Sequence, residues 1–362
     1  MNKTTLSPID YAQKAAHQMM KNFSAADLPP KGRFHYHQGV FLSGIERTYL
    51  TTGDEEYYNY IKNWADSVID ADGNINNRHN DQLDDMQPAN LLFNIYKKTE
   101  NEKYRKVIES SVENLRHWPK NEQGGFWHMK NLSNQMWLDG IYMAGPLLVR
   151  YALEFGESEL LEIVYTQLRL MRENMTDEKT GLMYHAWNSS GECMWADSRT
   201  HCSSEFWGRA IGWYAVTAVD IADMLPSDSK YKTYFAESAA EILKALAKYQ
   251  DEELGVWFQV VDKAHKKDNW PETSCSALFT YAFSKAVRLG YLPQEYACVA
   301  HKGYMGVINS TEITFRGEFT VPRVCIGTGV GDYGFYVKRS AITNDLHGMG
   351  AFLLMCNEYN ML

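Results

Sequence analysis

The sequence lacks any long apolar run. Nothing in it approaches the ~20 consecutive apolar residues that a membrane-spanning helix needs. The opening Met1-Asn2-Lys3-Thr4-Thr5-Leu6-Ser7-Pro8 has no apolar core of a secretory leader. Both absences predict a cytoplasmic chain without a membrane partner. Cysteine is sparse. Six residues in 362 (Cys193, Cys202, Cys275, Cys298, Cys325 and Cys356) are scattered without a C-x-x-C pair, as expected for free thiols in a reducing compartment. Basic residues are outnumbered, 36 Lys plus Arg against 45 Asp plus Glu, for a formal net charge of −9. That balance argues against nucleic acid as a partner and still permits a local basic pocket for a small anion.

Several chemical signatures are also missing. There is no P-loop, G-x-S-x-G or H-E-x-x-H. Gly329-Val330-Gly331-Asp332-Tyr333-Gly334 fits G-x-G-x-x-G, but no βαβ pattern surrounds it. Asp70-Ala71-Asp72-Gly73 is out of register for a calcium loop. His35 and His37 alternate, yet no Cys or carboxylate at ligand spacing completes a zinc set. No metal and no other cofactor is therefore expected. Nor does any Pro/Gly/Ser-rich linker or charge block divide the chain, which predicts one domain over 1–362.

A recurring phrase organises the rest. Thr52-Gly53-Asp54-Glu55-Glu56-Tyr57-Tyr58, Thr99-Glu100-Asn101-Glu102-Lys103-Tyr104, Phe155-Gly156-Glu157-Ser158-Glu159-Leu160 and Pro226-Ser227-Asp228-Ser229-Lys230-Tyr231 are alike. Each joins two helical patterns through a helix stop, a polar turn and an N-cap with acidic first-turn residues. About twelve helices follow from the periodicity, near 8–22, 38–51, 54–69, 84–98, 101–116, 137–154, 157–174, 204–224, 228–249, 272–289, 293–308 and 345–359. Their pairing into helical hairpins predicts an all-α closed toroid, with an inner ring of helices and an outer one. An open solenoid is the rival. Two alternating stretches read as β-ribbons in the connections: Met183-Tyr184-His185-Ala186-Trp187 with Cys193-Met194-Trp195, and Val256-Trp257-Phe258-Gln259-Val260.

The unusual residues fall at the starts of alternate helices. The clusters are His35-Tyr36-His37, Asp84-Asp85, Trp137-Leu138-Asp139, Trp207-Gly208-Arg209, Trp270-Pro271-Glu272 and Asn344-Asp345-Leu346-His347. In a closed ring these starts converge on one mouth. A cleft lined by aromatic and ionisable groups is a site, and converging helix N-termini favour an anion. Singly, each residue has an ordinary reading as well: Asp84 and Asp139 as N-terminal helix carboxylates, Arg209 and Trp213 as a packed pair on one helix face, His185 as a core histidine.

Arg33-Phe34-His35-Tyr36-His37-Gln38-Gly39, Gly124-Gly125-Phe126-Trp127-His128, Gln135-Met136-Trp137-Leu138-Asp139-Gly140-Ile141-Tyr142-Met143 and Phe206-Trp207-Gly208-Arg209-Ala210-Ile211-Gly212-Trp213-Tyr214 closely resemble the unsaturated rhamnogalacturonyl hydrolases, glycoside hydrolase family 105. Asp268-Asn269-Trp270-Pro271-Glu272-Thr273-Ser274 and Thr343-Asn344-Asp345-Leu346-His347-Gly348 resemble the same family, in the same order. The resemblance implies an (α/α)6 barrel. It puts Asp139 where the family has its general acid and Asp84 at its second carboxylate. Trp137, His128, His185, Arg209 and Trp213 fall on positions lining the sugar site, and His35 and Tyr36 join them as substrate-binding candidates. Departures lie at Pro88 and in the glycine-rich loop from Gly327 to Gly334, which bear on the far subsite.

The implied substrate is a small oligosaccharide, an unsaturated uronyl-rhamnose disaccharide from pectin, whose non-reducing uronate carries a C4=C5 bond. Protonation at C4 and hydration at C5 would release the aglycone. Asp139 would then need a raised pKa, and burial and Asp84 are expected to outweigh the helix N-terminus. Arg209 and His185 are expected to orient the substrate's carboxylate and hydroxyls, with Trp213 and Trp137 stacking on sugar faces. An unsaturated glucuronyl hydrolase for glycosaminoglycan or ulvan fragments is the alternative. A sugar epimerase or a carbohydrate-binding protein without turnover is the alternative of another class.

Overall fold

Polar turns stop one helix and start the next in the computed structural model, which describes residues 6–77 and 79–362. The reading of the leader falls largely on residues outside that range. At the first repeated phrase, Gly53 takes a left-handed φ of 72°, and the Asp54 side chain accepts from the Glu56 amide at 3.0 Å. Glycine adopts that conformation without strain, so one helix ends and the next begins within two residues. Asn101 caps its helix in the same way through the Lys103 amide.

Thirteen α-helices result among the described residues. They are α1 (Pro8–Asn22), α2 (Tyr36–Thr52), α3 (Glu55–Val68), α4 (Leu92–Thr99), α5 (Glu102–Arg116), α6 (Asp139–Phe155) and α7 (Glu159–Met175). Then follow α8 (Gly208–Met224), α9 (Lys232–Ala247), α10 (Thr273–Arg288), α11 (Ala297–Ser310), α12 (Tyr333–Val337) and α13 (Leu346–Tyr359). The periodicity anticipates all but the short α12. It also starts the fourth helix too early. Residues 83–91 form two 3-10 turns, Leu83–Asp85 and Gln87–Leu91, with Pro88 inside the second. Proline cannot donate to a preceding carbonyl, so α-helical bonding waits until Leu92.

The ring closes. α2 packs on the turn before α4 and on α13; α6 packs on that same turn and on α8; α10 joins α8 to α13. Outside them, α3, α5, α7, α9 and α11 each pack on the preceding inner helix, and α1 packs on α13. This is a closed (α/α)6 barrel, and the open solenoid does not form. At the α2–α13 seam, a Cβ on Gly350 would stand 2.4 Å from the Val40 carbonyl oxygen. Only glycine allows the first and last inner helices to meet this closely.

The β-structure differs from expectation. Among the described residues there are three two-stranded antiparallel sheets: β1 (Gln135–Trp137) with β2 (Ala186–Asn188), β3 (Glu312–Ile313) with β4 (Phe319–Thr320), and β5 (Val324–Cys325) with β6 (Ala341–Ile342). The 183–187 segment does not pair with 193–195. Its end pairs instead with β1, setting Trp137 opposite Ala186. Local alternation fixes a strand's faces but not its partner. The 256–260 stretch makes only isolated bridges, Trp207 to Val260 and Phe258 to Pro271. No βαβ unit surrounds Gly329–Gly334 among the described residues, and none of their helices is long and apolar enough to cross a membrane.

Candidate active site

At the mouth where the inner helices start lies a cavity of about 330 Å³. His35, Tyr36 and His37 line it from the head of α2, Asp84 from the 3-10 turn, Trp137 and Asp139 from the β1–α6 junction, and Trp207 and Arg209 from the head of α8. His128 and the loop Gly327–Gly329 complete its wall with Gln82, Met129 and Met143. A hollow of about 470 Å³ adjoins it, sharing His35, His37 and Gln82 and reaching Asp345. The Trp270–Glu272 cluster does not reach the cavity. Glu272 is buried as the cap of α10, accepting from the Cys275 amide at 2.6 Å and from the Cys325 amide at 2.8 Å. That corrects the expectation that all six clusters converge there.

The β1–β2 pairing delivers His185 to Asp139. Leu138 donates its amide to the His185 carbonyl at 3.0 Å, and His185 Nε2 lies 3.1 Å from Asp139 Oδ2. On the other side of the ring, His185 Nδ1 is 2.7 Å from the Tyr336 hydroxyl, which accepts from the Gly331 amide at 3.2 Å. An amide can only donate, so the phenol oxygen accepts there and its proton is free for Nδ1. His185 then carries its own proton on Nε2 and donates it to Asp139. Buried completely, His185 does not line the cavity as a substrate ligand; it fixes Asp139 from behind.

The two carboxyls are pushed apart in pKa. Burial drives Asp139 upward, but the positive Nε2–H end of the His185 ring and its hydrogen bond, with the Arg209 guanidinium, outweigh it and hold it below its ordinary value. Asp84 is raised well above its ordinary value, by burial first and then by the negative charges of Asp139 and Asp85. The expectation of a raised Asp139 is thus overturned for this protein, because sequence alone did not reveal its donor. Of the two, Asp139 ionises first and Asp84 keeps its proton to higher pH, so a single proton on the pair rests on Asp84.

His128 stacks flat on Trp137, with ring centroids 4.2 Å apart, and its Nε2 is 3.5 Å from Asp84 Oδ1. Burial lowers His128 to about 4 and His35 to about 3, and it lowers His37 as well, so all three are neutral at pH 7. Arg209 is the lining's permanent cation. Its Nη1 and Nη2 donate to the carbonyls of Cys325 and Ile326 at 2.6 and 2.7 Å, and its guanidinium lies over Trp207. Trp213 is elsewhere. It packs against Tyr142, almost fully buried, and does not line the cavity. The stacking role expected of it is corrected; four residues along a helix from Arg209 put it on the same face but a turn deeper.

Among the described residues, one group could hold a metal ion. The ligand atoms of His37, Asp345 and His347 lie within 4.8 Å of one another, and His347 Nε2 donates to the Cys325 carbonyl at 3.0 Å. The reading that no carboxylate completes a set around His37 is therefore corrected: the completing residues come from the far end of the chain. Tyr336 was also missed. The only local signal was Asp332, a good helix cap ahead of Tyr333-Gly334-Phe335-Tyr336, where the Asp332 side chain accepts from the Phe335 amide at 2.8 Å.

Comparison with known proteins agrees with the fold. A family model described as Glycosyl Hydrolase Family 88 matches residues 11–362. A family 105 glycoside hydrolase structure from C. acetobutylicum superposes with a TM-score of 0.93 at 32% identity, covering 97% of this chain and 99% of that one. A possible family 105 member from Klebsiella pneumoniae gives a TM-score of 0.84 at 25% identity, over 99% of this chain and 95% of that one. Among curated proteins, the unsaturated rhamnogalacturonyl hydrolase YesR of Bacillus subtilis is 26% identical over 308 residues, covering 81% of this chain and 79% of its own.

Proposed function

The chain belongs to glycosyl hydrolase family 88, with family 105 among its structural relatives, and is a glycosidase-type hydrolase; from that premise we propose that it removes a 4,5-unsaturated galacturonate from rhamnogalacturonan-derived oligosaccharides. The observation that carries the reading is a pair of carboxyls, Asp84 held up and Asp139 held down in pKa, on the wall of a single aromatic cavity. A vinyl ether needs one proton donor and one positioned water, and a pair holding one proton supplies both.

In this mechanism the one proton of the pair, resting on Asp84, moves to Asp139 once the substrate is seated, and Asp139 delivers it to C4. The resulting cation at C5 is shared with the ring oxygen. Water adds at C5 and gives its proton back to the carboxyl pair, so the pair ends with the one proton it began with. The C5 hemiketal opens, C1 becomes a hemiacetal, and its collapse releases the aglycone. Trp137 and His128 offer a flat stacked face to the sugar, and Tyr36 and His35 offer hydrogen-bonding groups. His185 acts as a positioning residue for Asp139. We assign the whole of 1–362 to one catalytic domain and the activity to the cytoplasm, a reading supported by six free cysteines.

The test is product analysis with unsaturated disaccharides that differ in aglycone. Rhamnose-linked substrate is expected to turn over at least ~10-fold faster in kcat/KM than glucosamine-, galactosamine- or ulvan-derived ones, a discrimination of about 1.4 kcal/mol. A reversed order makes the protein an unsaturated glucuronyl hydrolase. Turnover of none would remove the reading.

A further inference from the structure

An unsaturated uronate brings a carboxylate into the cavity, and the residues first expected to receive it are already engaged. Arg209 gives Nη1 and Nη2 to the carbonyls of Cys325 and Ile326. His185 is held between Tyr336 and Asp139. Resting on the function proposed above, we propose that the backbone of Gly327-Thr328-Gly329 is the seat for the substrate's carboxylate, with its amide N–H groups as the donors.

Four observations converge on that segment. All three residues line the cavity. The carbonyls around them are taken: Arg339 donates to the Gly327 carbonyl, and the Thr328 hydroxyl donates to the Ile326 carbonyl at 2.7 Å. The amides of residues 327–330, by contrast, donate to no protein acceptor among the described residues. Finally, the glycines leave the approach open. A Cβ on Gly329 would stand 3.6 Å from Trp137, and one on Gly327 would stand 3.5 Å from the Tyr36 hydroxyl and 3.7 Å from His37. Side chains there would occupy the cavity itself, between the loop and the residues opposite.

The chemistry fits a monocarboxylate. Successive free amides form a concavity for an anion, and two guanidinium groups fixed on the adjoining carbonyls add positive charge without occupying the seat. Gly331 follows immediately and donates to Tyr336, the residue that orients His185. Seating the carboxylate therefore steadies the same loop that steadies Asp139.

The experiment compares the free acid and the C6 methyl ester of an unsaturated galacturonyl-rhamnose disaccharide, binding by calorimetry to the Asp139→Asn protein. Neither glycine has a positive φ, and both added Cβ atoms meet only ordinary contacts, so Gly327→Ala and Gly329→Ala are expected to fold with unchanged thermal melts. The acid is expected to bind at least about tenfold tighter than the ester, as a charge-assisted set of hydrogen bonds implies. Both alanine variants are expected to abolish that preference. An acid-over-ester preference preserved in both would overturn the seat. A readout without loop substitutions is the amide shift of Gly327 and Gly329 in ¹⁵N-glycine-labelled protein, which should respond to the acid and not to the ester; acid binding that leaves both amides unmoved would also overturn it. Turnover is scored separately: a glycine-dependent preference without hydrolysis by the unsubstituted enzyme keeps the seat and removes the proposed function, and absence of acid binding removes both.

Discussion

Asp139 owes its ionised state to a neighbour 46 positions away, His185, whose own tautomer is set by Tyr336. Replacing Asp139 by Asn should leave folding intact and lower turnover by ~10²–10⁴, the usual weight of a positioned acid; steady-state rates within about threefold of the parent would take Asp139 out of the mechanism. Tyr336→Phe tests the relay. Losing the hydroxyl removes the group that keeps Nδ1 an acceptor, so the Nε2–H donor to Asp139 is no longer enforced and Asp139 rises. The acid limb of kcat/KM should therefore move to higher pH, with a rate loss of about five- to tenfold at the optimum for one hydrogen bond of about 1 kcal/mol. A pH profile superimposable on the parent's would reduce Tyr336 to packing. Asp84 has the opposite sign. Its folded pKa lies above the unfolded value, so folding takes up a proton and stability declines as pH rises from the ordinary carboxyl range toward that raised value. Asp84→Asn removes this decline, and its melting temperature should exceed the parent's more at pH 8 than at pH 5. Equal gains at both pH values would contradict a raised Asp84.

At the scale of elements, the helices were legible and the ribbons were not. Helix boundaries were written locally, in Gly53-Asp54, Asn101 and the Ser7–Asp10 capping box, whose reciprocal bonds open α1. A strand's partner is a long-range fact. Nothing within 183–195 reveals that Ala186 lies opposite Trp137, and that pairing is what joins His185 to Asp139. Likewise Trp213 looked like Arg209's companion because helix spacing reports a shared face, not depth below the cavity. The inner helices themselves depend on glycine where backbones meet. Gly350→Ala puts a Cβ 2.4 Å from the Val40 carbonyl oxygen, a backbone atom that cannot swing aside. The α2–α13 seam must then open, at a cost of about 1–3 kcal/mol, read as a lowered midpoint in urea with the slope unchanged. An unaltered midpoint would mean the seam is looser than the structure has it.

For the whole molecule, ring closure is what turns scattered motifs into a site. His35 and Tyr36 near the start, Asp139 in the middle and Gly327–Gly329 near the end share one wall only because α13 packs against α2. The alternating distribution of unusual residues foretold the mouth, since every second helix starts there. It could not foretell which clusters reach the cavity, as Glu272 shows by turning inward to cap α10 and hold β5. Nor could it give the proton's location, which depends on burial and on partners brought in by closure. The central claim is that this site protonates carbon rather than the glycosidic oxygen. Turnover in deuterated water, followed early by NMR alongside the near-ultraviolet absorbance of the conjugated C4=C5 carboxylate, tests it most directly. One deuterium should enter C4 stereoselectively, and the absorbance should vanish in step with aglycone release. Prompt release with C4=C5 intact would show ordinary glycosidic cleavage and contradict the account.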